Sequence, residues 1–181
     1  MKNKILTILF VSLVFFLNSK EILAKEFIFD TESIDILDNG NVISAKNGIV
    51  KSIDDKIEII SDNFYLNKKT SILKATNSLV KFLDTDINVK ADKVEYNNIL
   101  SIFLATGNVV IVDSRRKLTL SSANIFFDNK EKIIRSDSKT TINDKFGNTF
   151  KAGSFNYSLN NELIKINDAT LVDINKNNFN L

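Results

Sequence analysis

The side chains that could do chemistry in this 181-residue sequence are carboxylates and a short cluster of bases. Asp54-Asp55 and the pair Asp84 and Asp86 have the close spacing that acid–base catalysis or calcium binding uses. The chain has no His and no Cys, which excludes Ser-His-Asp and Cys-His nucleophile systems and the usual zinc ligands. Both acidic pairs lie in predicted turns, where Asp commonly hydrogen-bonds the backbone. The sequence therefore predicts a protein that is not an enzyme and that has no metal or other cofactor.

A second candidate is the basic cluster Arg115-Arg116-Lys117, which follows a predicted strand. The planar guanidinium group forms paired hydrogen bonds to phosphate oxygens, so Arg115 and Arg116 are candidates for a phosphate contact. A solvated turn is the alternative interpretation of the same residues.

The first 24 residues have the organisation of a secretory signal peptide. Lys2 and Lys4 precede a 13-residue, largely apolar run from Ile5 to Leu17, and the small residue Ala24 marks a cleavage position. The run is too short for an ordinary membrane span, and an uncleaved anchor is the alternative. The sequence therefore predicts a signal peptide over 1–24 and an exported domain over 25–181, with the periplasm as its location.

The charge of the exported part argues against a nucleic-acid partner. Removing 1–24 takes away Lys2, Lys4, Lys20 and Glu21, which reduces 24 basic and 22 acidic residues to 21 of each. A domain without net charge lacks the basic excess that polyanion binding uses. No nucleic acid is therefore expected among its partners.

The exported part is built from sequence repeats. Each unit carries two apolar residues two positions apart, and the step from one pair to the next is constant except for one extra position between Val94 and Ile125. The pairs are Ile34 and Ile36, Phe64 and Leu66, Val94 and Tyr96, Ile125 and Phe127, and Phe155 and Tyr157. A fixed period of about 30 residues predicts an architecture of repeats, here five of them.

Within each unit apolar and polar residues alternate, which is typical of β-strands. Val94 and Tyr96, for example, flank the charged Glu95. The apolar parity changes once per unit, as between Ala91 and Val94, so a straight strand would turn the two sets to opposite faces. A bulge or corner there keeps both sets inside. The sequence predicts an all-β, open antiparallel ribbon of two-strand repeats, folded over into two facing sheets.

Three segments resemble a known family: VKADKVEYN (89–97), LATGNVVIVD (104–113) and LSSANIFFDNK (120–130). They are similar to the OstA-like repeats of the bacterial lipopolysaccharide-transport proteins. That family includes a periplasmic bridge protein, a membrane-anchored relative and the N-terminal domain of the outer-membrane assembly protein. The segment 140–173 looks more like the assembly protein's periplasmic domain than like the bridge protein, and in the assembly protein a barrel would follow this domain.

The resemblance implies an open β-jellyroll that carries lipopolysaccharide acyl chains in its apolar interior toward the outer membrane. It implies lipopolysaccharide, similar jellyroll domains and the outer-membrane machinery as partners, and a location in the periplasm or at the outer membrane. The interior candidates for lipid binding are the ten paired apolar residues: Ile34, Ile36, Phe64, Leu66, Val94, Tyr96, Ile125, Phe127, Phe155 and Tyr157. The alternative is an exported structural or adhesive β-repeat protein whose core is permanently filled.

An open ribbon leaves strand edges with unpaired backbone groups. The chain has no Pro to block such an edge, and its first strand begins with the apolar Phe27-Ile28-Phe29. The last predicted strand, over 169–172, is likewise uncharged. We therefore expect Phe27, Ile28 and Phe29 to contact a partner by edge-to-edge β-augmentation.

Overall fold

The computed structural model describes residues 26–172 and 178–180, so the predicted signal peptide at 1–24 lies outside the described residues. In these ranges the regular structure consists of fourteen β-strands and one 3-10 turn, Asp38–Gly40. The strands are β1 (Phe27–Leu37), β2 (Val42–Ser52), β3 (Ile57–Asn67), β4 (Ile72–Phe82), β5 (Ile87–Asn97), β6 (Ile102–Asp113), β7 (Leu118–Asp128), β8 (Ile133–Ser136), β9 (Thr140–Asn143), β10 (Thr149–Ala152), β11 (Ser154–Ser158), β12 (Leu163–Asn167), β13 (Thr170–Val172) and β14 (Asn178–Asn180). Nothing helical within this part of the chain is long and apolar enough to cross a membrane. The predicted all-β class is confirmed.

The period of the repeat has a direct structural cause. From β2 to β5 each strand is 11 residues long. A short turn of constant length follows each of these strands, so two strands with their two turns make up one unit of the repeat. The one longer step spans β6, which has 12 residues and a register irregularity between Thr106 and Val109. The last residue of each turn adopts a left-handed conformation, as Lys56 and Ser71 do with φ of 53° and 54°.

The long strands bend near their midpoints, as the parity change predicts. In β2, β4 and β6 the bend contains an Asn with φ between 47° and 54°, and Asn tolerates this region better than most residues. Each of these Asn side chains donates a hydrogen bond to a carboxylate of the preceding strand. The pairs are Asn47–Glu32 at 2.9 Å, Asn77–Asp62 at 2.8 Å and Asn108–Asp92 at 2.8 Å.

The bends divide the ribbon into two facing antiparallel sheets. β1, β3, β5 and β7 begin in the first sheet and end in the second, and β2, β4 and β6 run back. In the first sheet β7 is followed by β9, β10, β13 and β14, and in the second sheet by β8, β11 and β12. The folded-over ribbon expected from the sequence is therefore the observed architecture, an open β-jellyroll.

The interior is packed with the side chains that the repeat predicts. Eight of the ten paired apolar residues are buried, and Tyr96, Phe127 and Tyr157 are completely enclosed. Phe82 of the first sheet meets Phe103 and Phe127 of the second edge-to-face, with ring centroids 5.4 and 4.5 Å apart. Such aromatic pairs add to the hydrophobic stabilisation that joins the sheets.

The first pair of the repeat departs from this pattern. Ile34 and Ile36 are 49% and 66% exposed, so they are not enclosed as the other eight residues are. They do face the interior side, because they pair with the buried residues Ala45 and Ile43 of β2. What they lack is a covering strand of the opposite sheet.

The C-terminal edge also differs from the expectation. Thr170–Val172 forms β13, which pairs with β10 on one side and β14 on the other. In the part of the chain that the structure describes, β14 ends the first sheet and β12 ends the second. Residues 169–172 are therefore not an uncovered edge.

Candidate functional site

The side of the jellyroll opposite the bends is where the turns of the two sheets meet. Turns 53–56, 83–86 and 114–117 belong to the first sheet, and turns 98–101, 129–132 and 159–162 belong to the second. We call this line of facing turns the seam. Each first-sheet turn meets a second-sheet turn that lies further along the ribbon, so the two sheets are offset.

Asp55 forms the first contact across the seam. Its carboxylate accepts hydrogen bonds from the Tyr96 hydroxyl and from Ser101 Oγ at 2.9 Å, and Asn129 Nδ2 donates to its backbone oxygen at 3.1 Å. Burial and the neighbouring Asp55 carboxylate raise the pKa of Tyr96 well above its ordinary value. Tyr96 therefore keeps its proton and acts as a hydrogen-bond donor within the enclosed core.

Asp113 forms an equivalent contact with Tyr157 of β11. The Tyr157 hydroxyl donates to Asp113, and Arg116 binds the same carboxylate through its backbone N–H at 2.9 Å and Nη1 at 3.0 Å. Burial alone would raise the pKa of the Asp113 carboxyl, but the hydrogen bonds from Tyr157 and Arg116 outweigh it, and the pKa lies below its usual value. An ionised Asp113 is thus held in the wall of the seam, where a charge requires such partners.

The middle contact is an ion pair between Asp84 and Lys132. Lys132 Nζ lies 2.8 Å from Asp84 Oδ2 and also donates to Asn129 Oδ1 at 2.7 Å. Both side chains are largely shielded from solvent. Asp54, which the sequence pairs with Asp55, is exposed instead and does not share its environment.

The two candidate phosphate ligands are separated by the fold. Arg116 is largely buried, and its Nη2 binds the Leu159 carbonyl at 3.1 Å and Glu162 at 2.9 Å across the seam. Arg115 is exposed, with a long contact of 3.7 Å to Asp86. The arginines are therefore not brought together, and the Arg116 guanidinium is already engaged by protein groups.

The β1 end of the jellyroll is open. Because the sheets are offset, the first turns of the second sheet face no turn of the first sheet, and the interior reaches the surface there. The opening is a cleft of about 490 Å³ whose apolar wall consists of Phe27, Phe29, Ile43 and Leu66. Its polar lining consists of Glu26, Lys68, Ser71 and Asn98.

β1 is an edge strand. Within the described residues it pairs with β2 alone, so its other side has unpaired backbone groups. Phe27 and Phe29 point inward, where they meet Tyr96 and Phe64 edge-to-face at centroid distances of 6.1 and 6.4 Å. Ile28 lies between them on the outer face and is 48% exposed.

The sequence does not predict the seam contacts: Asp55 and Asp84 have the pattern of turn residues, and Asp113 only marks the end of a predicted strand. The Tyr partners lie 41 and 44 residues away from their carboxylates, a separation that no local pattern indicates. One signal was present, since Asp55, Asp84 and Asp113 recur at a constant interval that is close to the period of the repeat. Across residues 26–172 and 178–180, no group of three or more acidic side chains could hold a metal ion.

An open β-jellyroll with an apolar interior is the class of protein that this fold defines. No family model and no curated protein matches the sequence. The structure is similar to the crystal structure of LptH from Pseudomonas aeruginosa, described as the LptA-homologous periplasmic component of a lipopolysaccharide transport device. The TM-score is 0.54 at 12% sequence identity, over 61% of this chain and 80% of that chain. The fold that the family resemblance implies is confirmed.

Proposed function

We propose that this chain is a periplasmic lipopolysaccharide-transport module that holds acyl chains against its apolar interior on their way to the outer membrane. The observation that carries the proposal is the open β1 end, where interior-facing apolar side chains are left uncovered. Covering an isoleucine or phenylalanine side chain contributes about 1.5–3 kcal/mol, so a few such contacts suffice to hold an acyl chain. The likeness of fold to LptH supports the same function. The module works by binding and release, without catalysis.

A structural or adhesive β-repeat protein is the second candidate, and the filled centre of the jellyroll favours it. Tyr96, Phe103, Phe127 and Tyr157 have no solvent exposure, as in a permanently packed core. The two candidates differ in what they expect of the β1 end. A carrier binds lipid there, whereas a structural protein uses it only for contacts with other proteins.

A photo-crosslinking residue on β1 separates the two candidates. Ile34 and Ile28 are the same residue type on the same strand and are 49% and 48% exposed, but Ile34 faces the interior side and Ile28 faces outward. In cells, we expect cross-linking at Ile34 to capture lipopolysaccharide and cross-linking at Ile28 to capture none. Equal lipid capture at both positions, or capture at neither, would contradict acyl-chain binding at this opening.

The β1 edge is also the proposed contact with similar jellyroll domains and, through them, with the outer-membrane machinery. A partner strand would pair with the free side of Phe27-Ile28-Phe29. Ile28→Pro removes a backbone donor from this edge and leaves the inward-facing phenylalanines in place. Recovery of partner jellyroll proteins in a pull-down should fall while the melting temperature stays near that of the wild type. Unchanged recovery with a folded variant would exclude this edge as the docking surface.

A further inference from the structure

The two long sides of the jellyroll are held together differently. Along the bends the sheets are joined by continuous strands. Along the seam, backbone hydrogen bonds run between turns of the same sheet, as from Leu83 N to Lys56 O and from Asn98 N to Ser71 O. The hydrogen bonds that cross the seam in the described part of the chain run through side chains. The seam is therefore the line along which the sheets separate most easily.

The crossing contacts are regularly placed. Asp55, Asp84 and Asp113 stand on successive hairpins of the first sheet, and each meets a donor of the second sheet: the Tyr96 hydroxyl, the Lys132 ammonium or the Tyr157 hydroxyl. Three successive hairpins of the first sheet thus supply one contact each, and the contacts close the middle of the seam. They do not extend to the β1 end, where the cleft is open.

The closed centre leaves no room for a ligand. Between the sheets, Phe82 is in contact with both Phe103 and Phe127, and all three have almost no solvent exposure. A protein interior that is packed this closely can accommodate an acyl chain only if the two sheets move apart. The sheets can move apart as a hinge opening. The hinge is the line of bends, where Asn residues adopt the left-handed backbone conformation, and the side that opens is the seam, which only side-chain contacts hold.

We propose that the seam is a lateral gate through which the acyl chains of an amphiphile enter the interior, and that the contacts of Asp55, Asp84 and Asp113 hold the gate closed between passages. The inference rests on the proposed function, because it concerns how the carried lipid reaches the interior. It assigns the cluster of buried carboxylates and tyrosines to the control of access, and a packed core by itself needs no such charged groups. The competing route is threading of the acyl chain from the open β1 end.

Locking the seam covalently tests the gate. The chain contains no Cys, so the double variant Asp84→Cys, Lys132→Cys carries one unique thiol pair at positions whose side chains are in contact. A short bis-maleimide joins the two thiols across the seam. Binding is followed with a long-chain fatty acid whose fluorescence rises on burial, and lipopolysaccharide serves as the competitor. We expect the unlinked double variant to bind the probe both at the β1 end and in the centre of the jellyroll, and the linked form to keep only the binding at the β1 end.

Two controls isolate the effect of the lock. The same variant treated with a monofunctional maleimide carries the modification without the cross-link and should still bind. A Lys56→Cys, Leu83→Cys pair, linked in the same way, joins two turns of one sheet without crossing the seam and should also bind. Full binding by the seam-locked protein overturns the gate and leaves threading from the β1 end. Absence of binding in every form, including the wild type, instead overturns the proposed carrier function.

A second variant opens the gate instead of closing it. Tyr157→Phe deletes the hydroxyl that meets Asp113, while Arg116 still neutralises the carboxylate. We expect the probe to bind several-fold faster than in the wild type. Tyr65→Phe, on the exposed face of β3, is the matched control and should leave the rate unchanged. An unchanged rate in a folded Tyr157→Phe variant would show that this contact does not limit access.

Discussion

Phe127 and Ile36 occupy the same position of the repeat, yet Phe127 has no solvent exposure and Ile36 is 66% exposed. Both face the interior side of the second sheet. Phe127 is covered by Phe82 of the first sheet at a centroid distance of 4.5 Å. Ile36 stands at the β1 end, beyond the last turn of the first sheet that could cover it.

The difference between the centre and the β1 end shows that, in an open ribbon, the side to which a residue points does not decide whether it is buried. Alternation along a strand decides which side a residue faces. The offset of the two sheets decides whether anything covers it. A residue that is apolar, interior-facing and uncovered is one that a ligand or partner can complete, and this property distinguishes the β1 end from the packed centre.

Truncation of Phe127, the covered residue of the two, should lower the stability of the protein most. Phe127→Ala leaves a cavity beside Phe82 and should lower the free energy of unfolding by about 3–5 kcal/mol. Ile36→Ala removes side-chain atoms that are already mostly in water and should change it by no more than about 0.5 kcal/mol. Urea denaturation of both variants gives the comparison. Equal losses would mean that the β1 end is covered in solution, contrary to the structure.

Weakening a buried seam contact should lower the stability by an intermediate amount. Asp113→Asn keeps the shape of the side chain but replaces a charged acceptor that Tyr157 and Arg116 bind. We expect a loss of about 1.5–3 kcal/mol at neutral pH, the range for hydrogen bonds to charged groups. Asp54→Asn, at an exposed position of another first-sheet turn, is the control and should stay within about 0.5 kcal/mol.

The pH dependence of the unfolding free energy tests whether the charge of Asp113 causes this loss. The folded-state pKa of Asp113 lies below the ordinary Asp value of about 3.9, so the folded protein binds its proton less readily than the unfolded chain does. The carboxylate therefore stabilises the fold above that value, and its contribution is lost as the pH falls through the folded-state pKa. The difference in unfolding free energy between wild type and Asp113→Asn should narrow in acid. A difference that stays constant with pH would attribute the loss to altered shape and not to charge.

Much of the fold follows from the sequence because its signals are local and repeated. The apolar pairs, the parity changes and the polar turns recur with one period, and together they predict the strands, the bends and two facing sheets. Eight of the ten interior candidates are buried for this reason. Ile34 and Ile36 carry the same local signal, but their exposure depends on the offset of the opposite sheet, which no single repeat encodes.

The seam could not be predicted for a related reason. Asp in a turn ordinarily satisfies nearby backbone groups, and the sequence around Asp113 and Asp55 is typical of such turns. Their Tyr partners come from strands that are distant in sequence, and the register of one sheet against the other decides which Tyr they meet. Arg116 shows the same limit, because its local sequence is equally compatible with an exposed basic turn and with the observed ion pairs to Asp113 and Glu162.

The smallest change in stability, with a large change in binding, is expected at the uncovered end itself. Ile36→Lys places an ammonium group where the wild type presents an apolar side chain that is 66% exposed, so the charge stays hydrated and the free energy of unfolding should change by about 0.5 kcal/mol or less. An acyl chain in the β1-end cleft would have to displace that hydration, which is unfavourable for a charged group. Affinity for the fatty-acid probe should therefore fall several-fold.

Ile28→Lys, on the outer face of the same strand, introduces the same charge and should leave affinity for the probe unchanged. Equal losses of affinity in the two variants would indicate a general effect of charge, and no loss in Ile36→Lys would show that the uncovered residues of β1 do not contact the lipid.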